Sequence, residues 1–416
     1  MKGGVFMKTI FKGASVFSME VPDVKGIIAD ILIEEGIICA IDKNINTDGA
    51  NIIDCTGKFI MPGLFDGHVH INSDEMHGLF IANGVTSVRN MWGFPLQKQW
   101  DKEVREGKRI GPYIYSTGPL IDGVESWKGC LFVRTVEEAI KVVDITVDEG
   151  WGYVKAYPSL PKDAMLALMI RAKERGIGVV GHLAYNVDPR TLADLGYYCV
   201  EHTGCLPSNI DDVRYLAKSG MWFCPTQMVE NTLVVNVVGG ESLEDIPHIE
   251  YVSPLHKKGW EEIIGRWRNN YAKGSPFYDS FKDPEEVPNR ARVFMLYSDN
   301  VILGTDTPNP GVVPGFSIHS ELEEMVYRYG MTPYKAIHSG TANAAKHLGI
   351  ENKKGKLLKG MDADLLVLSK NPFENISNSR SIEYVVQGGR VFDKEALEGM
   401  KFDSKNRKED EIISVY

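Results

Sequence analysis

Residues 61–71 read MPGLFDGHVHI, a short apolar run interrupted by an aspartate, a glycine and two histidines at alternate positions. Alternate side chains of an extended strand point to one face, so His68 and His70 present both imidazoles on the same side. Such a pair has an ordinary reading, two histidines satisfied by hydrogen bonds, beside the sharper one of two ligands for one cation. The surroundings decide what kind of strand carries it. Outward from it, strand-like runs recur as GVTSVRNM (84–91), PYIYSTG (112–118), GYVKAY (152–157), GIGVVGHL (176–183), YYCVEH (197–202), MWFCPT (221–226) and NVILGTD (300–306). Between several of them lie charged helical stretches that end in glycine, such as TVEEAIKVVDITVDEG, PKDAMLALMIRAKERG and IDDVRYLAKSG. About eight βα repeats in roughly 250–300 residues predict an α/β fold of the (β/α)8 TIM-barrel type. A doubly wound open sheet is the alternative, but no G-x-G-x-x-G follows an early strand.

At both ends of the chain the texture is β only. TIFKGASVF, IIADILIEEGIICAI and NIIDCTGKFI precede the barrel, while DADLLVLSK and EYVVQGGRVF follow it. Each group is too short to build a core alone, so residues 1–62 and 350–416 are expected to join in one small β-sandwich domain around a barrel of residues 63–349. Gly388-Gly389 reads as a hairpin turn within it, Gly239-Gly240 as a loop break, and residues 392–416 as a polar helix or tail. Residues 227–292 are too long for a βα connection and carry Trp260, Trp267, Tyr271, Phe277, Tyr278 and Phe281. They read as an extra helical layer or as a lid that contacts substrate.

The chain of 416 residues is 43% hydrophobic and 25% charged, which excludes overall disorder and a disulfide-built miniature. Forty-six Lys and Arg against 56 Asp and Glu leave a net charge of −10, unsuited to nonspecific contact with nucleic-acid phosphates. A small-molecule partner fits better. Cys39, Cys55, Cys130, Cys199, Cys205 and Cys224 are scattered without C-x-x-C spacing, the usage of reduced thiols in a cytoplasm. The start MKGGVFMKTIFKGASVF lacks an apolar signal core, and no run of ~18 apolar residues occurs, so the expectation is a soluble, unexported protein without a membrane partner, beginning at Met1 or Met7.

The case for a metal site rests on where the other candidate ligands fall. His182 ends the fifth strand run, His202 the sixth, and Asp306 the eighth, and the C-terminal ends of barrel strands converge on one cavity. Lys155 ends the fourth. A lysine aimed into such a mouth makes a poor cation, because burial and nearby metal charge both disfavour its protonated form. The neutral amine can take up carbon dioxide, and the carbamate is an anionic oxygen ligand able to bridge two cations. Standing alone, Lys155 would read as a snorkelling surface residue.

Together these segments resemble the amidohydrolase superfamily, in its branch of imidazolonepropionase-like and Xaa-Pro dipeptidase-like enzymes. The likeness runs from M-P-G-L-F-D-G-H-V-H through V-K-A-Y-P-S, V-V-G-H-L and V-E-H-T-G to L-G-T-D-T-P-N-P, G-F-S-I-H-S-E-L-E and G-M-D-A-D-L-L-V-L-S-K-N-P. The resemblance implies that His68, His70 and Asp306 hold the more buried of two divalent cations, that His182 and His202 hold the second, and that carbamylated Lys155 bridges them. Lys155 separates the chain from imidazolonepropionases proper, which use one metal; the prolidase-like side is the closer match. Zinc and a homo-oligomer are further implications.

Two cations about 3.5–4 Å apart hold a shared water as hydroxide near neutral pH and polarise a carbonyl, so no serine or cysteine nucleophile is required. Consistently, G-x-S-x-G is absent. Asp306 is then the candidate general base and acid, or a ligand alone. Arg89 is a candidate partner for a substrate carboxylate or a structural ion pair, Tyr185 and less so Tyr157 candidate donors to an oxyanion, and His319 a structural histidine. His77, His248, His256, His338 and His347 have no motif support. The expected activity is hydrolysis of a C–N amide bond in a dipeptide or N-acyl amino acid. Alternatives are a phosphotriester, ester, lactone or cyclic amide on the same site, and, in another class, a catalytically silent scaffold or binding protein.

Overall fold

The strands of residues 63–307 close into a ring. In the computed structural model, which describes residues 8–231, 242–270 and 285–406, Leu64–Val69, Val85–Asn90 and Tyr113–Ser116 pair in parallel. Leu120–Asp122, Tyr153–Ala156, Gly178–Gly181, Cys199–Glu201 and Trp222–Cys224 form a second parallel run. Residues 116–118 join the two runs, through Gly152 N donating to Ser116 O (3.0 Å) and Gly118 N to Tyr153 O (2.8 Å). At the other seam residues 300–307 dock between Trp222–Cys224 and Leu64–Val69. Ile302 N donates to Phe223 O (2.9 Å), Gly67 N to Leu303 O (2.7 Å) and His70 N to Thr307 O (2.7 Å). The result is a TIM-type barrel.

The expected eighth strand, NVILGTD, departs from regular pairing: among the described residues it forms no continuous ladder, and isolated bridges occur at Phe223–Val301 and, one residue past it, at Val69–Thr307. Gly304 and the left-handed backbone of Asp306 (φ 64°) break the ladder between them. A Cβ on Gly304 would meet Cys224 Sγ at 2.5 Å and His68 N at 2.7 Å. Gly304→Ala is therefore expected to lose about 1–3 kcal/mol of stability by overpacking, read as a lowered midpoint in urea denaturation.

Strict alternation sorts the barrel side chains. Val88, Val154, Val200 and Phe223 face outward into the core shared with the helices. Their successors Arg89, Lys155, Glu201 and Cys224 consequently turn toward the barrel axis, where all four are buried.

Strands from both termini form one eight-stranded sheet, in which Phe59–Pro62 is flanked by Thr9–Val16 and by Leu365–Leu368. A bridge from Ile37 to Asp362 brings the far strand Ile37–Asp42 back toward that centre. The sheet thus folds around its own apolar cluster of Phe11, Ile31, Ile33, Ile60, Leu365 and Val386, among others. Gly388 and Gly389, at φ 52° and 77°, make the two-residue turn between Ile382–Gln387 and Arg390–Asp393. The tail begins as a helix, Lys394–Asn406.

The described part of the long insertion packs as a layer. Trp260, on the helix Pro254–Asn270, is fully buried with Leu79, Val313 and Phe316, and its indole N–H donates to Pro308 O (2.7 Å) just beyond Asp306. Tyr271, Phe277, Tyr278, Phe281, Gly239-Gly240, Met1, Met7 and the side chain of Trp267 lie outside the described residues. All six cysteines are free. Among the described residues, no helix is long and apolar enough to cross a membrane.

Candidate metal centre

The six sequence-predicted ligands come from five strand ends, His68 and His70 sharing the first, and barrel closure brings them together. Asp306 Oδ1 lies 3.0 Å from His70 Nε2 and 3.3 Å from His68 Nε2, while its Oδ2 lies 3.7 Å from His202 Nδ1. The imidazole of His202 stands 4.8 Å from that of His68 and 4.7 Å from that of His182, centre to centre. Lys155 is buried among them; its ammonium position is 5.6 Å from the ring of Tyr157, which in turn lies 4.2 Å from His182.

Backbone strain marks the same rim. His202 (φ 70°), Thr226 (φ 46°) and Asp306 (φ 64°) all take left-handed conformations, each costing on the order of 1–3 kcal/mol. The cost is borne where it turns side chains from the strand direction into the mouth. Asp66 secures the Asp306 turn: its carboxylate accepts from Thr305 N (2.9 Å) and Thr305 Oγ1 (2.7 Å), and burial pushes it up to about 7 against those bonds.

The cluster is short of protons and long on lone pairs. Burial first, and then neighbouring positive charge, holds His68, His182 and His202 well below the usual imidazole range. Burial also lowers the Lys155 amine, although Glu201 and Asp306 oppose the shift. Buried polar atoms without a hydrogen-bond partner include His68 Nε2, His70 Nδ1, Lys155 Nζ, His182 Nδ1 and Asp306 Oδ1. Orphans at such density are costly unless something absent from the polypeptide satisfies them. Neutral imidazoles and a carboxylate are donors that fit a divalent cation. His68, His70 and Asp306 offer ligand atoms mutually within 4.8 Å, as do His68, Glu201 and Cys224.

Other candidates sit differently. Arg89 is 1% exposed and donates to both oxygens of Glu201 (2.7 Å each), so it is a buried ion-pair residue with no face toward a substrate carboxylate. Tyr185 is 79% exposed, whereas Tyr157 abuts His182 and burial holds its hydroxyl well above the usual phenol range. Of the two tyrosines, the one at the cluster is Tyr157. His319 is buried against Ser379 Oγ (2.9 Å), away from the cluster, and burial brings it down to about 3. His256 bonds Glu75 (2.6 Å) and Asn72 (2.9 Å), joining the insertion to the loop after His70. His347 meets Arg89, His77 packs edge-on against Trp100, His248 stacks on Phe316, and His338 lies against Tyr334.

Sequence reading passed over Glu201 and Thr226, the latter 2.7 Å from His202 Nδ1. For Glu201 a signal existed. V-R, V-K and V-E each place a charge directly after an outward valine, so all three charges must enter the barrel and find partners there.

A parallel barrel with histidines, a carboxylate and a buried lysine converging at one rim has the make-up of a metal-dependent hydrolase acting on C–N bonds. The chain belongs to the Amidohydrolase family, whose pattern it matches over residues 59–392. Ochratoxinase from Aspergillus niger is 24% identical over 393 residues, covering 80% of this chain and 75% of the fungal protein. Among solved structures, bottromycin amidohydrolase superposes with a TM-score of 0.77 at 20% identity, over 96% of this chain and 91% of its own. A Xaa-Pro dipeptidase with methionine in its active site gives 0.73 at 20% identity, over 93% of this chain and all of its own (100%).

Proposed function

We propose that the protein hydrolyses the C–N amide bond of a small substrate of the dipeptide or N-acyl amino acid type at a binuclear metal centre. The observation that carries this reading is the set of orphaned lone pairs at the rim, gathered around a buried lysine that has no hydrogen-bond partner of its own. His68, His70 and Asp306 would hold one divalent cation, His182 and His202 a second, and Lys155 both, as its carbamate. Zinc is the metal proposed, by family analogy. When bound, the ions supply Lewis acidity toward the scissile carbonyl and acidify water to near neutral pH.

The chain does the rest. Asp306, with its side chain directed at His68, His70 and His202, accepts the proton of the attacking water and returns it to the leaving amine. Tyr157 stays protonated through burial and presents the aromatic wall beside His182. The Trp260–Pro308 bond steadies the loop that follows Asp306. Free thiols and a net charge of −10 support a cytoplasmic enzyme with small-molecule partners and no nucleic acid; a homo-oligomer rests on family analogy. Names of similar proteins point the same way, one being a dipeptidase and others amidohydrolases.

The test is turnover by metal-loaded protein across dipeptides and N-acyl amino acids, before and after a chelator. Amide cleavage that vanishes with the chelator and returns with zinc is expected. Metal-loaded protein that cleaves esters, lactones or phosphotriesters but no amide would overturn the proposal.

A further inference from the structure

We infer that Glu201, clamped by Arg89, fixes the tautomer of His68 and so aims that imidazole's lone pair at the cation position. The inference rests on the reading of His68 as a metal ligand. Four buried side chains make a continuous brace along the barrel axis. His68 Nδ1 lies 2.9 Å from Glu201 Oε2, and Arg89 Nη2 donates to both Glu201 oxygens at 2.7 Å. Arg89 Nε donates to Gly67 O (2.5 Å), one residue from His68, and Nη1 donates to His347 Nε2 (2.8 Å). His347 is itself pinned at the far end, its carbonyl accepting from the hydroxyls of Tyr153 (2.8 Å) and Tyr198 (2.7 Å). None of the four side chains in the brace belongs to a residue more than 2% exposed.

Donor and acceptor capacity then dictates the protons. A guanidinium only donates and a carboxylate beside it only accepts, so the shared hydrogen between His68 and Glu201 resides on Nδ1. A neutral imidazole with Nδ1–H carries its lone pair on Nε2, the atom that lies 3.3 Å from Asp306 Oδ1 and, like that oxygen, has no hydrogen-bond partner. Two lone pairs meeting at that distance repel unless a cation lies between or beside them. Both Glu201 oxygens are taken up by Arg89 and His68, which makes Glu201 a positioning residue. Burial holds the thiol of Cys224, the third member of that group, well above its usual range.

Glu201→Gln tests this with little change of volume. Arg89 would capture the amide oxygen, leaving the NH₂ against His68 Nδ1 and driving the imidazole proton onto Nε2. We expect one of the two metal equivalents to bind about ten- to a hundredfold more weakly, with zinc or cobalt, in competition with a chromophoric chelator. In Arg89→Met/Glu201→Gln the amide oxygen is released to accept from His68, and most of the affinity should return; a purely structural ion pair predicts no recovery. Wild-type affinity in Glu201→Gln overturns the inference. So does a cobalt spectrum showing a lost ligand that the double variant does not restore, because Glu201 would then bind metal directly. Should the variants fail to fold, neutron diffraction of the wild-type protein decides: a deuteron on His68 Nδ1 supports the brace, and one on Nε2 overturns it. Wild-type protein that binds no divalent metal overturns the underlying metal-centre reading instead, so the two failures are distinct.

Discussion

Replacing Lys155 by methionine is expected to lower kcat/KM on an amide substrate by roughly 10⁴-fold, about 5.5 kcal/mol of transition-state stabilisation, and to halve the bound metal. Methionine matches the length and apolar stem of lysine but forms no carbamate, so the bridging oxygens of the proposed centre disappear while the barrel keeps its packing. Folding should not suffer. The Lys155 amine is fully buried with no hydrogen-bond partner, and removing such a group relieves a desolvation cost. Metal-free Lys155→Met should therefore melt at or above the temperature of the metal-free parent, which separates loss of chemistry from loss of structure. In Lys155→Ala, a short carboxylate such as propionate supplied in the cavity should restore part of the activity. Metal content by elemental analysis and turnover by amine release check both expectations; a Lys155 variant with two metal equivalents and parental turnover would remove the carbamate from the proposal.

The second large effect is expected at Asp306. Asp306→Asn should reduce kcat by about 10³-fold, within the range for loss of a general acid–base group, with KM changed little. Asparagine keeps the shape and tolerates the left-handed backbone at φ 64°, so the turn fixed by Asp66 and Thr305 should persist. His68 and His70 remain, and at least one metal equivalent should stay bound. Activity that falls only in proportion to metal occupancy would make Asp306 a ligand and nothing more. Thermal melts in chelator, run beside the kinetics, exclude a folding defect.

Much of this site was legible in the letters because the barrel converts position along a strand into position in space. A residue at the C-terminal end of any barrel strand faces the same mouth, so His68, His70, Lys155, His182, His202 and Asp306 could be grouped before any coordinates were known. Loops obey no such rule. Tyr185 and Tyr157 each lie just past a strand, yet the chain turns one into solvent, 79% exposed, and the other against His182. Arg89 shows a different limit: its inward direction follows from alternation with Val88, but its partner Glu201 is 112 positions away.

The repeat, the terminal strands that share a sheet, and the residues that gather at the rim could be read from the letters, since periodicity and strand-end position are local properties of the chain. Which partner satisfies each buried charge came from the folded barrel. Pairing Arg89 with Glu201 and His347, or Asp66 with Thr305, depends on where closure places strands that are remote in sequence. In a low-dielectric interior those distances, a few ångström either way, determine whether a charge is stabilised or excluded.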